Sequence, residues 1–155
     1  MYSLHREQIV DTSIKKAWEF VSNPFNLNAI TPTELNFRII SDLPDKMFNG
    51  LVINYKIYIP ILGYQEWVTE IKHISAPYSF VDEQRIGPFK FWYHYHAFEE
   101  VKDGINFIDN VYYDVPFSFL GRIVHRFFVI KMLTRIFDYR REKLTEIFTP
   151  MLHKI

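Results

Sequence analysis

Between residues 35 and 115, apolar side chains recur at every second position in six consecutive segments. In the clearest segment, residues 51–59, every odd-numbered residue is apolar. Such alternation is typical of strands with one buried face. Short turns such as Lys102-Asp103-Gly104 join neighbouring segments, so the strands pair antiparallel. The sequence therefore predicts a six-stranded antiparallel meander, with strands at 35–39, 51–59, 64–74, 79–86, 91–100 and 105–115.

Other elements flank this meander. Residues 4–11 alternate as a further strand, and two short helices are predicted from 14 to about 22 and from 24 to 30, with Thr12 or Ser13 capping the first and Asn23 the second. From residue 118 or 119 to 148, helical spacing predicts a C-terminal helix of roughly 40 Å. A sheet with one apolar face needs a cover. We therefore predict one α+β domain, residues 1–155, of order β-α-α-β6-α, with a curved antiparallel sheet wrapped around the C-terminal helix.

Composition excludes several classes of protein. The chain has no cysteine, which excludes disulfide scaffolds and thiolate zinc sites, and its 48% hydrophobic content excludes disorder. We find no signal peptide and no apolar stretch that could span a membrane, so we expect a soluble cytoplasmic protein. The net charge is zero, yet residues 121–155 carry 8 Lys+Arg against 3 Asp+Glu. This basic helix is either a solvated face or a peripheral contact for an anionic membrane surface. The acidic body and the lack of an RNA-binding motif argue against nucleic acid.

A series of motifs runs through the whole chain: Asn26-Leu27-Asn28-Ala29-Ile30-Thr31-Pro32, Trp67-x-Thr69-x-Ile71, Phe80-Val81-Asp82-x-Gln84-x-x-Gly87-Pro88-Phe89, Trp92-x-His94-x-His96-x-Phe98 and Asp109-x-Val111-x-Tyr113-x-x-Pro116. With the order of elements, they resemble the START/polyketide cyclase (SRPBCC) superfamily, and within it a bacterial ligand-binding, cyclase/dehydrase-like subgroup. The resemblance implies a helix-grip fold. The superfamily includes carriers and enzymes, so the fold leaves the function open.

Strand alternation predicts which face of the sheet is concave. The face with Trp67, Trp92 and Phe98 is largely aromatic and aliphatic, whereas the opposite face carries several carboxylates and Arg85. The aromatic face should therefore lie under the helix, and together they should form an apolar pocket of several hundred Å³. The candidate ligand-binding residues are Trp67, Thr69, Asp82, Gln84, Trp92, His94, His96, Phe98, Phe107, Asp109, Val111, Tyr113, Phe127, Ile130 and Phe137.

The predicted concave face also carries five polar residues: Asp82, Gln84, His94, His96 and Asp109. Buried polar groups must be hydrogen-bonded or they cost several kcal/mol. Three interpretations stay open: a structural network, an anchor for the polar end of a ligand, or acid–base catalysis by a carboxylate paired with His94 or His96. Two histidines and one carboxylate could also hold a metal. A His-x-His spacing alone is unspecific, however, and we expect neither a metal nor a cofactor.

These observations lead to two functional hypotheses. The first is a protein that binds a small hydrophobic or lipid-like molecule between sheet and helix, with the polar end of that molecule at the Asp/Gln/His cluster. The alternative is an enzyme of the aromatase/cyclase or dehydratase kind. The resemblance implies an Asp–His acid–base pair for such an enzyme, drawn from Asp82, Asp109, His94 and His96.

Overall fold

A computed structural model describes residues 1–60, 62–116 and 125–149. In chain order, its elements are β1 (Tyr2–Val10), α1 (Ile14–Val21), two 3₁₀ segments (Pro24–Ile30 and Thr33–Leu35), β2 (Arg38–Ile39), β3 (Val52–Ile59), β4 (Gly63–Ser75), β5 (Ser79–Ile86), β6 (Phe91–Val101), β7 (Gly104–Asp114), a π-helical turn (His125–Val129) and α2 (Ile130–Phe148).

The strands form one antiparallel sheet in the order β1-β7-β6-β5-β4-β3-β2. From β2 to β7 each strand pairs with the next one in the chain, and β1 returns beside β7. The sheet does not close, since β1 and β2 do not pair with each other. Two irregularities in the register of β4 against β5 add local bending. The predicted fold class is confirmed: a curved, open antiparallel sheet followed by a C-terminal helix.

The N-terminal helical segments begin where the sequence predicts. Ser13 caps α1, with its side chain accepting a hydrogen bond from the backbone N–H of Lys16. Asn23 caps the first 3₁₀ segment in the same way, and Pro24 occupies its first turn, where a missing N–H costs nothing. The second predicted helix is thus a 3₁₀ helix, tighter than an α-helix.

Helix α2 covers the concave face of the sheet. Leu133, Phe137 and Leu144 are its buried residues, spaced four and seven positions apart on one stripe. Gln8 of β1 ties the helix to the sheet edge by donating to the backbone carbonyl of Arg141. The predicted start of this helix, at 118 or 119, lies outside the described residues. No helix in the described part of the chain is both long and apolar enough to cross a membrane.

The predicted strand at 35–39 is mostly wrong. Leu35 ends a 3₁₀ turn, Asn36 has a left-handed backbone conformation (φ 43°), and only Arg38–Ile39 pairs with β3. The apolar alternation has another cause here. Leu35 is buried in the core, and the ring of Phe37 packs 4.8 Å from that of Tyr55. Leu35 and Phe37 therefore both pack inward from an irregular segment, and their spacing of two residues resembles that of a strand.

Candidate functional site

A cavity of about 180 Å³ lies between the concave face of the sheet, the first 3₁₀ segment and α2. Most of its walls are apolar, with side chains from β3, β4 and α2 such as Ile53, Ile57, Trp67, Leu133, Ile136 and Phe137. The volume is below the several hundred Å³ expected. Large rings occupy part of the space, because Trp92 packs 5.2 Å from Trp67 and 4.9 Å from Phe89.

Ten of the fifteen predicted ligand-binding residues line this cavity: Trp67, Thr69, Asp82, Trp92, His94, His96, Phe98, Phe107, Asp109 and Phe137. Gln84, Val111 and Tyr113 do not. The Gln84 amide bonds both the N–H and the carbonyl of Phe89 and so holds the turn between β5 and β6. Val111 and Tyr113 are packed in the core beneath the cavity wall.

The structure corrects the prediction for Phe127 and Ile130. Phe127 is 65% exposed and Ile130 is 44% exposed, and neither lines the cavity. The prediction assumed one unbroken α-helix. Phe127 lies in a π-helical turn, His125–Val129, which precedes α2. Ile130 begins α2, where the buried stripe runs through Val129 and Leu133 instead.

Several cavity residues were not predicted. The first 3₁₀ segment contributes Leu27 and Ile30, and β3 contributes the residues of its buried face. The alternation of β3 could have identified its residues. Arg140 was missed because it is charged, although it follows Phe137 by three positions and so lies on the same stripe of α2.

The polar end of the cavity is a closed ring of two carboxylates and two imidazoles, here called the Asp–His ring: Asp82, His94, His96 and Asp109. Three neighbouring strands bring these residues together. Asp82 of β5 lies opposite His94 of β6, and His96 of β6 lies opposite Asp109 of β7. Side chains at directly opposed positions share a face of the sheet. The pairing of β5 with β6 and of β6 with β7 therefore brings the four side chains together.

Each imidazole lies between both carboxylates. His94 Nε2 is 2.7 Å from Asp109 Oδ1, and His94 Nδ1 is 3.1 Å from Asp82 Oδ2. His96 Nε2 is 2.8 Å from Asp82 Oδ2, and His96 Nδ1 is 3.0 Å from Asp109 Oδ1. All four ring nitrogens are thus engaged. Neither histidine offers a free nitrogen to a substrate unless one of these contacts opens.

Two further side chains hold the carboxylates. Trp92 Nε1 donates a hydrogen bond to Asp82 Oδ1 at 3.0 Å. Arg140 Nη1 lies 3.6 Å from Asp109 Oδ1, and its guanidinium stands over the ring of Phe137 at 4.9 Å. No hydrogen-bond donor of the described residues reaches Asp109 Oδ2, and the Asp109 side chain is 16% exposed. Asp109 therefore keeps one acceptor oxygen available.

Burial and partner charges oppose each other in the ring. Burial acts to raise the pKa of Asp82, but the charge and hydrogen bonds of His94 and His96 outweigh it and hold that pKa far below its usual value. The pKa of Asp109 is likewise lowered, against burial, by both histidines and Arg140. Burial acts to lower the pKa of His94, yet attraction to Asp82 and the hydrogen bond with Asp109 raise it. The ring therefore favours ionised carboxylates and a protonated His94.

Comparison with known proteins shows likeness in fold. No family model and no curated protein matches this chain. Protein Ms6760 from Mycobacterium smegmatis is similar over 94% of this chain and 92% of its own, with a TM-score of 0.65 and 15% identity. Protein CV1439 from Chromobacterium violaceum is similar over 97% and 99%, with a TM-score of 0.69 and 8% identity. A protein from Arthrobacter aurescens is similar over 93% and 86%, with a TM-score of 0.70 and 11% identity. At these identities the likeness shows the fold alone.

Proposed function

We propose that this protein binds a small, largely apolar molecule between the sheet and α2, with the polar group of that molecule directed at the Asp–His ring. The observation that carries the proposal is a cavity with mostly apolar walls that ends at this cluster of charged side chains. Apolar walls with a few convergent polar groups are typical of small-molecule sites.

The chemistry of the ring favours a donor as that polar group. Asp109 Oδ2 is an ionised acceptor without a donor among the described residues. A hydroxyl would donate to it, whereas a carboxylate would place a second negative charge beside it. The proposed ligand class is therefore a compact apolar alcohol or phenol. A hydrogen bond to an ionised group is worth about 1.5–3 kcal/mol, which corresponds to roughly ten- to hundredfold in affinity.

The test compares ligands that share one carbon skeleton. Calorimetric titration with 2-naphthol, naphthalene and 2-naphthoate should rank them in that order, with the phenol roughly tenfold or more tighter than the hydrocarbon. The variant Ile57→Phe fills the cavity from a buried wall position and should abolish binding. Val52→Phe is the matched control, because Val52 is an exposed residue of the same strand. The proposal fails if none of the three binds saturably, or if folded Ile57→Phe binds as well as the wild type.

The aromatase/cyclase or dehydratase alternative has less support from the geometry. Acid–base catalysis needs a group whose pKa lies near the working pH and which reaches the substrate. The pKa of Asp109 is well below its usual value, which makes its accessible oxygen a weak base. Both histidines have their nitrogens in contact with carboxylates.

We also propose that the π-helical turn and the first residues of α2 contact an anionic membrane surface. Phe127 and Ile130 are exposed apolar residues beside the exposed cations Arg126 and Lys131. Apolar side chains inserted between basic ones suit a membrane interface. Phe127→Ser with Ile130→Ser should reduce sedimentation with phosphatidylserine vesicles, whereas Ile147→Ser at the other end of α2 should not. Binding that is absent in wild type, or unchanged by salt, would contradict this proposal.

A further inference from the structure

The geometry points to a divalent transition-metal site formed by Asp82, His94 and His96. Each of these residues offers one ligand atom, and the three atoms all lie within 4.8 Å of one another. Around a tetrahedral ion with bonds of about 2.0–2.2 Å, ligand atoms stand about 3.4 Å apart. The carboxylate oxygen is already 3.1 Å and 2.8 Å from the two nitrogens. A small outward movement of these side chains would therefore admit an ion.

The partners of the two carboxylates decide which side of the ring takes the metal. Asp109 and Asp82 each face one nitrogen from each histidine. Asp109 already has a cation beside it, because Arg140 lies 3.6 Å from its Oδ1. Among the described residues, no lysine or arginine forms an ion pair with Asp82. Arg140 therefore repels a divalent ion from the Asp109 side, whereas the charge of Asp82 neutralises part of the charge of the ion.

The remaining contacts match the outer shell that metal-binding histidines require. Such histidines donate their second ring N–H to a carboxylate or carbonyl, which orients the ring and raises its basicity. Asp109 Oδ1 serves both rings, at 2.7 Å from His94 Nε2 and 3.0 Å from His96 Nδ1. Trp92 Nε1 holds the other oxygen of Asp82 and leaves Oδ2 for the ion. Asp109 is thus a positioning residue.

The site is also rigid and suitably charged. Its three ligands lie on paired strands, and the ring of Phe80 stacks on that of His96 at 4.2 Å. A metal ion displaces the proton from the histidine nitrogen that it binds. With both imidazoles neutral in this way, Asp82, Asp109 and Arg140 leave one net negative charge, which offsets part of the charge of a buried divalent ion. Two imidazoles and one carboxylate favour zinc, cobalt or ferrous iron over magnesium. All three ligand residues line the cavity, so an open coordination position would face it.

The test uses the full chain, freed of metal by a chelator, and metal ions alone. Calorimetric titration with Zn²⁺ should show one ion per chain, and Co²⁺ should give visible absorption bands and quench tryptophan fluorescence. His96→Gln should weaken Zn²⁺ binding by about 100-fold or more, since it removes a ligand. Asp109→Asn should weaken it roughly 10- to 100-fold and shift the Co²⁺ bands, since it removes the outer partner of both histidines.

Two exposed histidines provide the control. The double variant His5→Gln/His73→Asn should bind Zn²⁺ like the wild type. The inference is overturned if the wild type takes no Zn²⁺ at millimolar concentration, if Mg²⁺ competes equally with Zn²⁺, or if folded His96→Gln binds as the wild type does. Where His96→Gln does not fold, the absence of Co²⁺ bands in the wild type overturns it. Naphthol binding by the metal-free chain is measured separately, so either proposal can fail alone.

Discussion

The sheet carries charge networks on its two faces, and they differ in what surrounds them. On the convex face, Lys72 donates to Glu83 at 2.8 Å, and Arg85 forms an ion pair with Glu70. On the concave face, Asp82 belongs to the Asp–His ring. Asp82 and Glu83 are neighbours in the chain, yet one faces the buried cavity and the other faces water.

Residues that are neighbours in the sequence can therefore form charge pairs of very different strength. The strength depends on the face of the sheet on which the side chain lies. Side chains of the convex network are 23–43% exposed, so water screens their attraction. His94 in the ring is 3% exposed. Its charge has lost its hydration and depends on its two carboxylate partners. We therefore expect substitutions on the two faces to differ severalfold in their cost.

The largest effect should come from Asp82→Asn. The substitution preserves the shape of the side chain but removes one of the two negative charges that both histidines face, and breaking a buried pair costs about 3–5 kcal/mol. The free energy of unfolding, measured by urea denaturation in a chelator, should fall by that amount. Glu83→Gln, one residue along the strand, is the matched substitution on the other face. Equal losses of unfolding free energy for Asp82→Asn and Glu83→Gln would contradict the expected difference between the two faces.

Trp92→Phe should have an intermediate effect. It removes the hydrogen bond to the ionised Asp82, which contributes about 1.5–3 kcal/mol. Trp67→Phe makes the same change in size at an equally buried tryptophan whose Nε1 has no hydrogen-bond partner among the described residues. The difference in unfolding free energy between these two variants therefore isolates the hydrogen bond. If Trp67→Phe costs as much as Trp92→Phe, the bond contributes nothing measurable.

The smallest effect should come from Lys72→Gln on the convex face. Ion pairs that water reaches contribute about 0–1 kcal/mol, and salt screens them. The loss of stability at low ionic strength should therefore be under about 1 kcal/mol and should shrink in 1 M salt. The loss caused by Asp82→Asn should change little across the same salt series. A Lys72→Gln loss of several kcal/mol would show that the convex network is as sensitive as the ring.

Much of this fold could be predicted because strand alternation is local. The predicted strand at 79–86 matches β5 residue for residue, and the bounds of β3, β4, β6 and β7 differ from the prediction by no more than one residue at either end. Strand β1 begins two residues earlier than predicted. The same alternation placed Asp82, His94, His96 and Asp109 on one face. The strand predicted at 35–39 was too long, because Leu35 and Phe37 anchor an irregular segment to the core.

The site was harder to predict, because it depends on how elements meet. The sequence could not show that both nitrogens of each histidine contact carboxylates, since that depends on the registers of β5, β6 and β7. Arg140 was also not predicted as a cavity residue, because a charged side chain was not expected on the buried stripe of α2. The π-helical turn that contains Phe127 left no recognisable pattern in the apolar spacing.

The covalent geometry of a strand sends successive side chains to opposite faces, so the order of residues was enough to separate the polar ring positions from the convex charges. The order of residues was also enough to predict the meander and the helix that covers it. The distances within the Asp–His ring and the cavity of about 180 Å³ arose only when the layers packed. They depend on cross-strand register and on the space left between large rings, and both result from contacts between residues far apart in the chain.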